Sequence, residues 1–117
     1  MAGFDLSANT VLTAIFSTTH GGSATLEHDP VVAAVPGKSI VVLAATLSSS
    51  VGSETLLFAS GAANAPITAY LQNGVSATVV LPFSEIGWCA TGKGEVLSLG
   101  SNAANGLVSC MVKYILV

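Results

Sequence analysis

The stretch GWCATGKGE is the part of this 117-residue chain that most resembles a chemical motif. Gly87, Gly92 and Lys93 have the spacing that begins a phosphate-binding loop. Such a loop also needs Ser or Thr after the lysine to hold Mg²⁺, and a helix whose first amides hold the phosphate. Here Gly94 follows the lysine, and the next residues, EVLSLG, alternate like a strand. We therefore interpret the stretch as a turn-rich connection between two strands, with Trp88 packing at the end of the fold.

A second candidate is the one dense group of titratable residues, which could be read as a metal site. It consists of His20, Glu27, His28 and Asp29. Adjacent residues on a strand point to opposite faces, so His28 and Asp29 would rarely bind the same ion. We expect a solvated or interfacial polar loop here, and ion binding by this group is the alternative.

The remaining candidates for catalysis lack partners. Glu85 and Glu95 flank a glycine-rich loop, but nothing in the sequence holds the two carboxylates together, as acid–base catalysis would require. None of the serines lies in a G-x-S-x-G motif, and no histidine is placed as a partner for one. Cys89 with one of the two histidines is geometrically possible, but no other feature supports a catalytic thiol. The sequence therefore predicts no enzyme, no catalytic residue and no cofactor or metal.

The two cysteines are expected to be reduced. Cys110 lies in an apolar alternation and is predicted to be a small buried hydrophobic residue. A chain of this length with 51% hydrophobic residues does not depend on a disulfide for stability. We predict that Cys89 and Cys110 do not pair.

The charge content is very low. Only 8% of residues are charged, against about 25% in a typical soluble domain. There are six acidic residues and three lysines, no arginine, and a net charge of −3, so the clustered cations that nucleic-acid binding requires are missing. The sequence has no apolar run of about 20 residues and no basic segment ahead of an apolar one, so we expect a soluble protein made in a cytoplasm. With so little charge, we expect much of the surface to be buried against other protein.

The pattern of turn residues and apolar runs predicts a single all-β domain. Turn signals recur at short intervals, and the runs between them are rich in Val, Ile, Leu and Thr, which is typical of an antiparallel β-sandwich or barrel. The predicted strands are 10–18, 24–28, 31–35, 39–48, 54–60, 66–72, 75–81, 95–100 and 107–117. For the first of these a short helix turn is the alternative, since Val11, Leu12, Ile15 and Phe16 also fit one, but its threonines favour a strand. Residues 1–8 form an N-terminal arm, and residues 9–117 form the domain.

One hairpin and two long apolar strands can be described in more detail. ITAYLQ-NG-VSATVVL predicts a hairpin around Asn73-Gly74, because that pair favours a type I′ turn. SIVVLAATL predicts Ile40, Val42 and Ala44 on one face. The other face is predicted to consist of Val41, Leu43, Ala45 and Leu47. The last run predicts a core face with the following members: Val108, Cys110, Val112, Tyr114 and Leu116. Because both faces of these strands are apolar, we expect the second face of the sheet to be covered by a neighbouring subunit.

The order of four stretches in this chain resembles small phage-encoded jelly-roll proteins of the tumour-necrosis-factor type. The stretches are PGKSIVVLAATL, the NG hairpin, LPFSEIGWCATGKGEVLSLG and GLVSCMVKYILV. The resemblance covers roughly residues 36–117. It implies a jelly roll of about eight strands and a homotrimer, and it carries over no catalytic residue. Members of this family serve as capsid decoration (cement) proteins or as tips of tail fibres.

The function predicted from the resemblance is a trimeric cement protein on the surface of a viral capsid, bound to the major capsid protein. The alternatives are a receptor-binding tip or tail-fibre component of a phage, and a non-viral oligomeric binding module. A fibre tip would normally follow a stalk, and the sequence has no coiled coil or repeat. We expect Phe4 and Leu6 of the arm to contact the capsid, and Met111 to lie in the trimer interface.

Overall fold

The computed structural model describes residues 10–19, 27–50, 54–68, 71–73, 78–102 and 106–117. These residues form ten β-strands and no helix. The strands are β1 (Leu12–Thr19), β2 (Glu27–Val32), β3 (Ile40–Ser49), β4 (Glu54–Ser60), β5 (Ala65–Pro66), β6 (Leu71–Asn73), β7 (Thr78–Leu81), β8 (Cys89–Ala90), β9 (Leu97–Ser101) and β10 (Leu107–Leu116). Across the described residues, no helix has the length and apolarity needed to cross a bilayer.

The strands form two antiparallel sheets. The front sheet has the order β1-β10-β3-β7, with β8 also paired to β3. The back sheet has the order β2-β9-β4-β5, with β6 also paired to β4. The chain passes repeatedly from one sheet to the other, and this is the strand order of a jelly roll. The predicted fold class is confirmed: eight main strands form an antiparallel sandwich, and β5 and β8 are two-residue additions.

The core lies between the two sheets, because each long strand turns one apolar face towards the other sheet. Its fully buried members include Phe58 and Leu56 from β4, Leu97 and Leu99 from β9, and Val112 from β10. The predicted core face of the last strand is confirmed. That face consists of Val108, Cys110, Val112, Tyr114 and Leu116.

The predicted facing of β3 is correct as far as Leu43 and wrong after it, because the strand contains a β-bulge. Lys113 pairs with Ala44, but the next pair is Tyr114 with Val42, so Leu43 is an extra residue in β3. The bulge reverses the alternation of the strand. The core-facing residues are Ile40, Val42, Ala45 and Leu47. Leu43 instead joins a second small cluster with Val41 and Ile115, separate from the main core.

The prediction of two strands on either side of Pro30 is also wrong. Residues 27–32 form one strand that continues through the proline. β2 is the edge of the back sheet, where a missing N–H leaves no ladder bond unmade, and the pairing shifts between Pro30 and Val32. Proline here ends no strand because the strand has only one neighbour.

The two strands around Asn73-Gly74 pair in different sheets. β6 pairs with β4 in the back sheet, and β7 pairs with β3 in the front sheet. In the described residues the two strands therefore form a connection between sheets and not a hairpin within one. The turn itself, residues 74–77, lies outside the described residues.

Candidate functional site: the front face

The outer face of the front sheet carries a row of apolar side chains across four strands. Ile15 of β1 pairs with Met111 of β10, Met111 pairs with Thr46 of β3, and Thr46 pairs with Val80 of β7. Directly paired residues point to the same side of a sheet. Ile15 is 80% exposed, Val80 60% and Met111 41%. We call Ile15, Met111, Thr46 and Val80 the apolar row.

Hydroxyl groups line one side of the apolar row. In the neighbouring register, Ser17, Ser109, Ser48 and Thr78 lie side by side on the four strands. The hydroxyl oxygens of Ser48 and Ser109 are 2.8 Å apart and share a hydrogen bond. Ser48 and Ser109 thus satisfy each other. The four side chains are shorter than those of Ile15 and Met111, so they leave the apolar row accessible.

On the other side of the row lies Lys113, which is the only charged residue that the described strands place on this face. Its ammonium group donates a hydrogen bond of 3.3 Å to the hydroxyl of Thr13. The lysine therefore lies along the sheet towards β1. The face as a whole is weakly polar and almost uncharged, which is the composition of an interface core.

Met111 stands between two shallow grooves on the front face. One, of about 170 Å³, lies between Met111 and the segment from Val80 to Phe83. The other, of about 230 Å³, lies between Met111, Ile15 and Ser48. Both could take an apolar side chain of a partner. The prediction that Met111 faces away from the core agrees with this geometry, and the predicted trimer interface stays a prediction.

Sequence reasoning missed the other exposed members of the row. The predicted strands contain Ile15 and Val80, but the sequence does not say which strands pair with them. Only the pairing register brings these two residues to either side of Met111. The alternation of LTAIFSTT, in which the odd-numbered residues are exposed, is the signal that could have found Ile15.

A second apolar region lies at an edge of the sandwich, in the connection from β7 to β8. Trp88 is half exposed, and its indole N–H donates to the carbonyl oxygen of Pro82 at 2.6 Å. With Ile67, Leu71 and Leu81 it lines a cleft of about 320 Å³. Trp88 thus lines an opening between the edges of the two sheets. The prediction that it packs at the end of the fold stays a prediction.

The GWCATGKGE stretch is a strand connection. Two of the amides that would hold a phosphate are already bonded: Gly92 N–H donates to the Ser60 hydroxyl at 3.0 Å, and Gly94 N–H donates to the Lys38 carbonyl at 2.8 Å. Cys89 and Ala90 pair with β3, and strand β9 follows where a phosphate loop would need a helix. The geometry agrees with the interpretation made from Gly94 and the strand-like run after it.

The titratable group does not gather into a site among the described residues. Glu27, His28 and Asp29 lie on β2, and the His28 ring packs over Gly100, where a Cβ would come within 3.1 Å of it. No cluster of three or more potential metal ligands is found in the described ranges. His20 lies outside them. So do Phe4, Leu6 and the predicted boundary of the arm.

Both cysteines are free thiols in the fold. Cys110 is buried and Cys89 is half buried. Desolvation by burial raises the pKa of each thiol from 9.0 to about 12. At neutral pH both are therefore protonated and are poor nucleophiles, which gives no support to a catalytic Cys89.

Comparison with known proteins finds a similar fold in solved structures. No family model matches the chain, and no curated protein matches it. A chain of the cyanophage Pam1 capsid asymmetric unit is similar with a TM-score of 0.56 and 21% identity, covering 92% of this chain and 85% of that one. A subunit of the disulfide-linked pili of Bacillus endospore appendages is similar with a TM-score of 0.53 and 10% identity, covering 93% and 91%. At these identities the likenesses show the jelly-roll fold alone.

Proposed function

We propose that the chain is a structural protein of a virus particle, and that it works as a capsid decoration (cement) protein without enzymatic activity. The observation that carries the proposal is the nearly uncharged front face with its exposed apolar row. A soluble domain rarely exposes such a face unless it is covered by protein. The fold's likeness to a phage capsid chain supports the choice of a virion as the place where this happens.

The proposed assembly is a homotrimer in which part of each front face is buried against a neighbouring subunit. The trimer would sit on the capsid surface and bridge neighbouring copies of the major capsid protein. We place Met111 in the subunit interface, because it is exposed between two grooves at the centre of the face. Phe4 and Leu6 of the arm are the proposed capsid anchors.

Cement acts by mass action. A protein that binds only the assembled shell stabilises the shell by about 2.7 kcal/mol per site when it is present at a hundredfold excess over Kd. Three arms on one trimer would also act together, so each single contact could be weak. An apolar contact of this kind should depend little on ionic strength, since so few charges are available.

The likeness to a pilus subunit favours one alternative, in which the chain is a component of a phage fibre or tail. The cysteines argue against linkage of such a filament by disulfides. Cys110 is buried and Cys89 is half buried in its own subunit, and both thiols stay protonated at neutral pH. A filament of this chain would have to be held together by its surfaces.

The test is co-sedimentation of the purified protein with undecorated shells, followed by heat challenge of the particles. We expect saturable binding and a higher temperature of shell disruption. Deleting residues 2–8 should leave the trimer folded and weaken shell binding strongly. Unchanged binding would show that the arm is not the anchor, and failure of the full-length protein to bind shells would overturn the cement function in favour of the fibre component.

A further inference from the structure

The edge of the front sheet formed by β1 differs from the other sheet edges. Soluble proteins usually protect an edge strand with proline, charge, a bulge or short length, because its unpaired N–H and C=O groups can bind another strand. In the back sheet, β2 carries Glu27, Asp29, Pro30 and a bulge, and β5 is a two-residue strand containing Pro66. At the other front edge, β7 has four residues and is followed directly by proline.

β1 has none of these protections. Its eight residues, LTAIFSTT, include no charged residue, no proline and no glycine, and they pair in regular register with β10. Within the described ranges β10 is its only ladder partner. The strand also carries the most exposed large apolar side chain of the described surface, Ile15.

We propose that β1 pairs antiparallel with β1 of a second copy of this chain, across a twofold axis perpendicular to the sheet. The strand favours its own copy as the occupant for two reasons. It has no charge, so two copies do not repel each other. It also has a self-complementary register, which follows from the alternation of its side chains.

A twofold axis perpendicular to the sheet keeps the outer face of both copies on the same side, so exposed positions must oppose exposed positions. The register centred on Ile15 meets this condition. It places Ile15 opposite Ile15 of the partner subunit, and Thr13 opposite the partner's Ser17. On the core side, it places the small Ala14 opposite the large Phe16 of the partner subunit. Registers centred one residue away oppose Ile15 with a hydroxyl side chain and leave its apolar surface exposed.

This pairing joins the two apolar rows into one. Ile15 is the end of the row on β1, so the row would continue through the partner's Ile15 to its Met111. The edge contact uses the backbone of β1, whereas the proposed trimer contact is centred on Met111, so strand pairing can link assemblies whose subunits are held together at Met111. Because one strand pair is smaller than a standard interface of about 1,600 Å², we expect weak pairing in dilute solution and stronger pairing where copies are held side by side.

Disulfide trapping tests the pairing and its register. Directly opposed residues have Cα atoms about 4.5–5.5 Å apart, within the range that a disulfide spans. Under mild oxidation, Ile15→Cys should cross-link to its own copy. Thr13→Cys and Ser17→Cys should each cross-link poorly alone, because each would lie roughly 13 Å from its own copy at 3.3 Å per residue. A mixture of those two variants should form the cross-linked heterodimer.

The wild type controls for Cys89 and Cys110, and should give little cross-linked product. Circular dichroism of each variant verifies that the exposed substitution leaves the fold intact. Absence of an Ile15→Cys dimer, or equal self-cross-linking of Thr13→Cys, would overturn the proposed pairing.

A second pair of variants checks the result without cysteine. Thr13→Glu with Ser17→Glu should reduce association measured by sedimentation velocity, whereas Thr13→Glu with Ser17→Lys should retain it, and equal behaviour of the two would also contradict the register.

Discussion

At the scale of single residues, Gly61 and Gly37 have the same left-handed backbone but different surroundings. Their φ angles are 77° and 73°. A Cβ at Gly61 would overlap the carboxylate of Glu95, which accepts a hydrogen bond from the Ser60 hydroxyl at 3.0 Å. A Cβ at Gly37 would meet nothing within 4 Å.

Alanine at these two glycines should therefore have unequal costs. Gly37→Ala should lower the free energy of unfolding by about 1 kcal/mol, through the backbone alone. Gly61→Ala should cost about 1 kcal/mol more, because it displaces Glu95 from its hydrogen bond. Guanidinium unfolding at a fixed protein concentration measures both. In a Glu95→Ala background the two costs should become equal, and a persistent difference would contradict the role given to Glu95.

The cysteines predict a pH dependence of stability. Burial raises the pKa of Cys89 and Cys110 from 9.0 to about 12, so folding favours the protonated thiols. Their contribution is fully present below pH 9 and is lost as the pH rises from about 9 towards 12. The double variant Cys89→Ala, Cys110→Ala should therefore lose less stability than the wild type between pH 8 and pH 11, measured by thermal unfolding. Equal losses in the two proteins would show that the thiols do not contribute.

At the scale of elements, Pro30 predicts how an edge is protected. The substitution Pro30→Val restores a backbone N–H to the edge strand β2. The edge then has one more donor with which another strand could pair. We expect little change in unfolding midpoint and more concentration-dependent association by light scattering. Pro36→Val, in the exposed turn before β3, is the control and should not associate. Association by the control to the same extent would mean that loss of proline, and not opening of the edge, is responsible.

The elements also show what could be predicted from the sequence. The long strands were predictable, because runs such as LVSCMVKYILV alternate without interruption, and the core face of β10 was assigned correctly. The bulge at Leu43 was not, because a run apolar on both faces fits either alternation equally well. The sheet change between β6 and β7 was hidden in the same way, since Asn-Gly marks a turn and does not say whether the strands on either side pair. The apolar row depends on pairing between strands far apart in sequence, so composition could indicate an interface but could place only Met111 on it.

At the scale of the whole molecule, the few charged residues are distributed unevenly between the two sheets and the connections. Glu27, Asp29 and Glu54 lie on strands of the back sheet, and Lys38, Glu85, Lys93 and Glu95 lie in connections. Of the described strands of the front sheet, only β10 carries a charge, at Lys113. This asymmetry divides the surface into a face suited to contact with protein and connections suited to water.

Placing a charge at the centre of the front face should therefore affect assembly more than folding. Met111→Lys adds an ammonium group between the two grooves, and the side chain is exposed in the subunit, so the free energy of subunit folding should change by less than about 1 kcal/mol. In a trimer the same charge would be buried without a partner, which typically costs several kcal/mol per interface. Light scattering should find trimers for the wild type and monomers for Met111→Lys at the same concentration. Ala63→Lys, in the exposed turn after β4, makes the same change in net charge away from the face and should remain trimeric. A wild type that is monomeric at all concentrations would overturn the trimer, and dissociation of both variants would point to net charge as the cause instead of the front face.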